Sequence, residues 1–184
     1  MIEVEAKAPV KNPISIKNSL IKIGSSFVES RKERDEYFQH PCRDFTITDE
    51  ALRIRRVGKQ VLMTYKGPKL DQKTKTREEI TLSISKQYSL AKSLIQRLGF
   101  KKAIEVVKQR EVYRLGKLEI CLDDVQGLGT YLEIEVRVAK DFENAKKKIL
   151  LLLDKLKLKE TTRQSYVELL NEKKVLDSKL VNYK

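Results

Sequence analysis

The sequence predicts an α+β protein whose strands form one closed or nearly closed antiparallel eight-stranded β-barrel with helices packed outside. Short segments alternate apolar and charged residues with a period of two. Others space leucine and isoleucine at helical intervals, and glycine-bearing turns divide them.

Met1 to Lys7 places Ile2, Val4 and Ala6 on one side of an extended chain and Glu3, Glu5 and Lys7 on the other. Pro9 and Pro13 bracket a linker, and Ile16, Leu20, Ile21 and Ile23 before Gly24 predict a helix with a glycine stop. Phe27 to Phe38 reads as a strand entering a loop from Gln39 to Thr48. Ala51 to Val57 sets Arg53 and Arg55 against Leu52 and Ile54, and Val57-Gly58-Lys59-Gln60 reads as a tight hairpin. Gln60 to Lys66 is a less regular strand. Gly67 to Thr74 is a polar, lysine-bearing loop, suited either to closing over a ligand or to being mobile.

Thr76 to Leu82 sets Arg77, Glu79 and Thr81 against Ile80 and Leu82. Leu90, Leu94, Ile95 and Leu98 mark a second helix ending at Gly99. A long strand from Phe100 to Leu115 carries Lys108 and Arg110 on one parity and turns at Gly116. Lys117 to Asp123 sets Glu119 and Asp123 against three aliphatics, and two glycines allow a tight path through Gly127 and Gly129. Leu132 to Val138 repeats the opening pattern, with Glu133, Glu135 and Arg137 opposite aliphatics. Phe142 to Leu158 is a leucine-rich third helix. Ser165 to Leu170 begins a fourth, so residues 1–170 are expected to form the domain and 171–184 a helical extension or tail.

One such strand is ordinarily a half-solvated sheet edge. Recurrence changes the argument. If the aliphatic parity faces outward under helices, charged side chains of both signs share one interior, which is too costly to desolvate empty and so should be wet. Basic groups there suit phosphate oxygens, and clustered carboxylates suit a hard divalent cation such as Mg²⁺ or Mn²⁺.

The 184 residues carry 39 basic and 26 acidic side chains, formally +13, which points to an anionic partner. Much of that excess lies on helices, as in Lys146-Lys147-Lys148, and reads as solvated surface. An RNA-binding protein is the reading charge alone favours, but no RNP-like aromatic motif supports it and nucleic acid is not an expected partner. No run reaches membrane-span length and the first strand carries acids, so a cytoplasmic protein without membrane contact, monomer or homodimer, is expected. Cys42 and Cys121 are far apart and read as reduced thiols, and His40 sits in a loop-like stretch that favours a structural role.

Glu3-Val4-Glu5-Ala6-Lys7 resembles the ExExK signature of the CYTH superfamily, the triphosphate tunnel metalloenzymes. The resemblance runs in order through Ala51-Leu52-Arg53-Ile54-Arg55, Tyr65-Lys66-Gly67, Arg77-Glu78-Glu79, Lys108-Gln109-Arg110, Leu122-Asp123 and Gly129 to Glu135. It implies that Glu3, Glu5, Glu79, Asp123, Glu133 and Glu135 are metal-side carboxylates. It also implies that Lys7, Arg53, Arg55, Lys66, Arg77, Lys108 and Arg110 bind the triphosphate, with Lys7 and Glu5 catalytic. His40-Pro41-Cys42-Arg43-Asp44-Phe45 followed by Thr48 to Arg53 looks closest to the class IV adenylyl cyclase branch, which converts ATP to cyclic AMP and diphosphate. The alternatives are a triphosphatase acting on thiamine triphosphate, ATP or tripolyphosphate, and a non-catalytic polyphosphate or nucleotide binder.

Overall fold

The computed structural model describes residues 2–69 and 77–181, with side chains over 3–69 and 77–174. Eight strands are present: β1 (Ile2–Pro9), β2 (Ser26–Gln39), β3 (Ala51–Val57), β4 (Gln60–Lys66), β5 (Arg77–Ser83), β6 (Lys101–Leu115), β7 (Leu118–Val125) and β8 (Gly129–Val138). Four helices join them: α1 (Pro13–Lys22), α2 (Tyr88–Arg97), α3 (Phe142–Lys155) and α4 (Tyr166–Val181). The strands close in the order β1-β5-β4-β3-β2-β6-β7-β8, every neighbour antiparallel. The expected barrel and its outer helices are therefore present.

Closure occurs where the two echoing strands meet, and β1 and β8 pair from Ile2↔Val138 to Pro9↔Tyr131. That register sets Glu5 beside Glu135 and Lys7 beside Glu133. Successive strand side chains alternate faces, so the shared parity sends the acids inward and Val4, Ala6, Ala8, Leu132 and Ile134 outward. Outside, Ile149, Leu152 and Leu153 of α3 pack on this seam, and Ile16 and Leu20 of α1 join the same cluster. α1 starts as its sequence requires, with the Asn12 side chain accepting the Ser15 amide hydrogen at 3.0 Å and Pro13 in the first turn.

On the far wall Ile95 and Ala91 of α2 cover Phe38, Ile54 and Val61 of β2, β3 and β4. Gly99 ends that helix at φ 91°, and a Cβ there would lie 3.0 Å from the Pro41 ring, so the loop after β2 is seated on a backbone only glycine provides. Not every outward aliphatic is covered. Ile80 and Leu82 of β5 point outward as expected but are more than half exposed, because β5 lies between the α2 and α3 walls and no described helix crosses it.

α4 runs unbroken through the boundary expected at residue 170. Its first turn packs Tyr166, Val167, Leu169 and Leu170 against Val106, Val125 and Tyr131 at the barrel's end. Residues 70–76, which include most of the expected polar loop, lie outside the described residues, as do 182–184 of the extension. Among the described residues no helix is long and apolar enough to cross a membrane.

Candidate active site

The bore is a cavity of about 520 Å³ lined by inward side chains of all eight strands and by the first turn of α4. Its acids and bases are arranged unevenly.

On the β1–β8 wall, carboxylate oxygens of Glu3, Glu5 and Glu135 lie within 4.8 Å of one another. Burial and the neighbouring carboxylates of Glu3 and Glu5 push the Glu135 carboxyl up to about 8, against the pull of Arg110. Three convergent carboxylates strained by like charge form a hard-oxygen donor set, and a divalent cation of the Mg²⁺ or Mn²⁺ kind would relieve that strain, so the residues fit such an ion. Arg137 reaches Glu3 from the rim, Nη2 to Oε2 at 3.2 Å.

The other three carboxylates expected beside a metal engage cations. Asp123, fully buried, accepts from Lys108 Nζ at 3.0 Å, from Arg110 Nε at 2.6 Å and from the Tyr166 hydroxyl at 2.9 Å. Glu133 joins Lys7, at 2.9 Å, to the Arg110 guanidinium. Glu79 accepts from Lys66; burial opposes its ionisation, and Lys66 outweighs that to hold the carboxyl low.

Facing this wall, β3 lies four positions from β8 around the barrel. Arg55 donates to both oxygens of Asp35 at 2.7 Å and approaches Glu33 at 3.0 Å. Glu33 also faces Lys108 at 3.4 Å. Burial works against charge on both β2 acids, yet Arg55 with its neighbours holds Asp35 down at about 2 and Glu33 lower still. Arg53 differs from its neighbours. It stands 3.9 Å from Asp35, and its buried Nε has no hydrogen-bond partner among the described residues. Arg77, buried at the start of β5, has a 3.4 Å contact to the Gly67 carbonyl.

All the expected bases therefore line one cavity, and so do the expected acids apart from Asp123, which lies behind Lys108 and Arg110 as their shared counter-ion. Glu33 and Asp35 escaped the sequence reading. β2 carries charge on both parities, with Arg31, Glu33 and Asp35 inward and Lys32, Arg34 and Glu36 alternating with them, so period-two contrast vanished. Tyr166, buried against Lys7 and Asp123, gave no local signal either. Cys121 is a buried free thiol, pushed well up by burial, and Cys42 is an exposed one. His40 is structural in its contacts: Nδ1 accepts the Cys42 and Arg43 amide hydrogens, and the ring meets Phe100 edge-on at 5.0 Å.

A closed bore with this lining meets a second observation, that the pattern of the CYTH domain matches residues 1–166. The chain belongs to the CYTH domain family. CYTH members are adenylyl cyclase-like or triphosphatase enzymes that bind triphosphates. A Methanocaldococcus jannaschii protein, provisionally named an adenylate cyclase, is 38% identical over 92% of this chain and 98% of its own. A solved Pyrococcus horikoshii protein superposes with a TM-score of 0.86 at 42% identity, covering 93% of this chain and 99% of that one. A Hippeastrum protein, provisionally named an adenylyl cyclase and described as having a dominant triphosphatase activity, shares the CYTH fold. Its TM-score is 0.67 at 19% identity, over 93% of this chain and 95% of its own.

Proposed function

We propose that this CYTH protein is a divalent-cation-dependent enzyme that draws the triphosphate of ATP into its bore and closes the ribose 3′-oxygen onto the α-phosphorus, giving cyclic AMP and diphosphate. The observation that carries the metal-and-triphosphate part of this reading is the division of the lining: a crowded carboxylate trio on the β1–β8 wall faces arginines on β3, one of which keeps a buried donor without a partner among the described residues. A triphosphate supplies an acceptor for the Arg53 Nε, and its charge suits Lys66, Arg77, Lys108 and Arg110 around it. The name of the M. jannaschii relative favours cyclisation.

Glu3, Glu5 and Glu135 would hold the Mg²⁺ or Mn²⁺, which when bound offsets charge on phosphate oxygens. Asp35 and Glu33 keep Arg55 extended into the bore, and Asp123 does the same for Lys108 and Arg110, so the cationic surface is preorganised before substrate enters. Lys7, buried beside Glu133, places an ammonium on the wall that bears the trio, where it steadies the oxygen leaving or attacking phosphorus. Glu5 lies among the acids that could take the 3′-hydroxyl proton as the new oxygen–phosphorus bond forms and the bond to diphosphate breaks. Hydrolysis by water uses the same lining, since only the group standing in line with the scissile bond differs.

Purified protein incubated with ATP, thiamine triphosphate and tripolyphosphate plus Mg²⁺ or Mn²⁺ decides the matter. Cyclic AMP and diphosphate from ATP support the reading. Orthophosphate release from any of the three assigns a triphosphatase instead. Binding without products leaves a triphosphate sensor.

A further inference from the structure

We infer that Tyr166 is the positioning residue for Lys7 and for the Asp123 cluster, so that the first turn of α4 is a working part of the triphosphate site. The inference rests on the proposed triphosphate chemistry for its kinetic test and on geometry alone for its spectroscopic one. Tyr166 is 5% exposed, and its ring lies flat beneath Lys7, with Nζ 3.6 Å from the ring centroid. Lys108 Nζ is 5.0 Å from the same centroid. The hydroxyl donates to Asp123 Oδ2 at 2.9 Å, on the carboxylate that also holds Lys108 and Arg110. One side chain thus touches the ammonium of the β1 wall with its face and the counter-ion of the β6 cations with its tip.

The segment before it grips Lys7 as well. The Thr162 amide donates to the Lys7 carbonyl at 2.9 Å, and the Gln164 carbonyl accepts from Lys7 Nζ at 3.2 Å. Glu133, the Gln164 carbonyl and the Tyr166 ring meet the ammonium from different directions, and the 162–166 segment supplies two of these three contacts. The helix start is fixed in turn. Glu168 donates its amide hydrogen to Ser165 Oγ at 3.2 Å and accepts the Ser165 amide hydrogen at 2.5 Å, a reciprocal cap. Lys69 ties the same Glu168, at 3.3 Å, to Asp49 at 2.8 Å, which links α4 to the segments after β2 and β4. Tyr131 packs edge-on against the Tyr166 ring, centroids 5.5 Å apart, which supports the ring in this orientation.

The test uses the full chain and two substitutions. Y166F keeps the ring under Lys7 and loses the bond to Asp123, whereas Y166L loses both. In labelled protein the Lys7 ε-methylene protons should be shifted upfield by the ring in wild type and Y166F and return to ordinary lysine values in Y166L. With Mn²⁺ and tripolyphosphate or ATP, Y166L should lose about tenfold to thirtyfold in kcat, the loss expected when a desolvated cation leaves an aromatic face. Y166F should keep kcat within about threefold while KM rises about fivefold, as the cations on Asp123 loosen. A Lys7 resonance unmoved in Y166L, with kcat within about threefold, overturns the inference. If wild-type protein acts on no triphosphate, the proposed function fails and the Lys7 resonance alone decides this inference. If Y166L does not fold, Y166F decides it: a raised KM supports the role, and an unchanged KM overturns it.

Discussion

Arg55 and Asp35 face each other across the β3–β2 ladder as an antiparallel pair, and their side chains meet inside the bore through two parallel 2.7 Å hydrogen bonds. This fork holds the Arg55 guanidinium inside the bore at the expense of a buried acid. A carboxylate held at about 2 stabilises the fold fully above its ordinary value near 4, and that contribution fades as pH falls through 2.

Asp35→Ala should cost about 3–5 kcal/mol, because it leaves Arg55 buried with one carboxylate fewer. Tripolyphosphate should recover more stability in this variant than in wild type, since its oxygens take the vacated position. Thermal melts with and without ligand at about 1 mM check both statements, and equal ligand-induced shifts would refute the second.

Arg53→Ala behaves differently. Among the described residues its Nε makes no hydrogen bond and its carboxylate contact, to Asp35, is 3.9 Å, so the melting temperature should change by about 2 °C or less. Triphosphate affinity should fall about tenfold or more, the loss of a charged hydrogen bond, as read by calorimetry. Equal losses of stability and affinity would show that Arg53 serves the fold instead.

The acidic trio gives a pH prediction of opposite sign to that of Asp35. A carboxyl raised to about 8 in the folded state binds a proton there that the unfolded chain has released, so stability declines as pH rises from about 4.5 toward 8. In chelator the melting temperature should drop by roughly 5 °C or more across that window, and Mn²⁺ should abolish the drop. Glu135→Gln should remove the slope and, like Glu3→Ala, abolish metal-dependent turnover while leaving the protein folded. A pH slope identical with and without Mn²⁺ would break the link between the trio and the ion.

Ile149→Ala tests the outer wall. Ile149 is fully buried where α3 covers the β1–β8 seam, so truncation should cost about 2–5 kcal/mol. The trio depends on that seam's register, and metal affinity should fall with stability. Denaturant melts paired with Mn²⁺ titration would expose any independence of the two.

The barrel was legible because alternation is a local signal and β1 and β8 wear it openly: Ile2, Val4 and Ala6 against Glu3, Glu5 and Lys7, echoed at Leu132 to Val138. The bore's bases were legible for the same reason on β3 and β6. Glu33 and Asp35 were not, since β2 alternates charge with charge and only pairing with β3 and β6 reveals which parity is inside. The division of the carboxylates into a trio and counter-ions was equally invisible, because Asp123 and Glu133 differ from Glu135 only in which cation the neighbouring strand sets beside them. Tyr166 lay furthest from reach: its partners Lys7 and Asp123 are 159 and 43 positions away, distances that only the docking of α4 closes.

The seam between β1 and β8 also imposes an order of events on synthesis. Glu5 is synthesised about 130 residues before its partner Glu135, an interval of roughly ten seconds at ordinary elongation rates. A nascent chain stalled before β8 therefore has an open sheet with β1 unpaired on one side, exposing edge hydrogen bonds to its neighbours. The carboxylate trio and the closed edge arrive together, with the last strand.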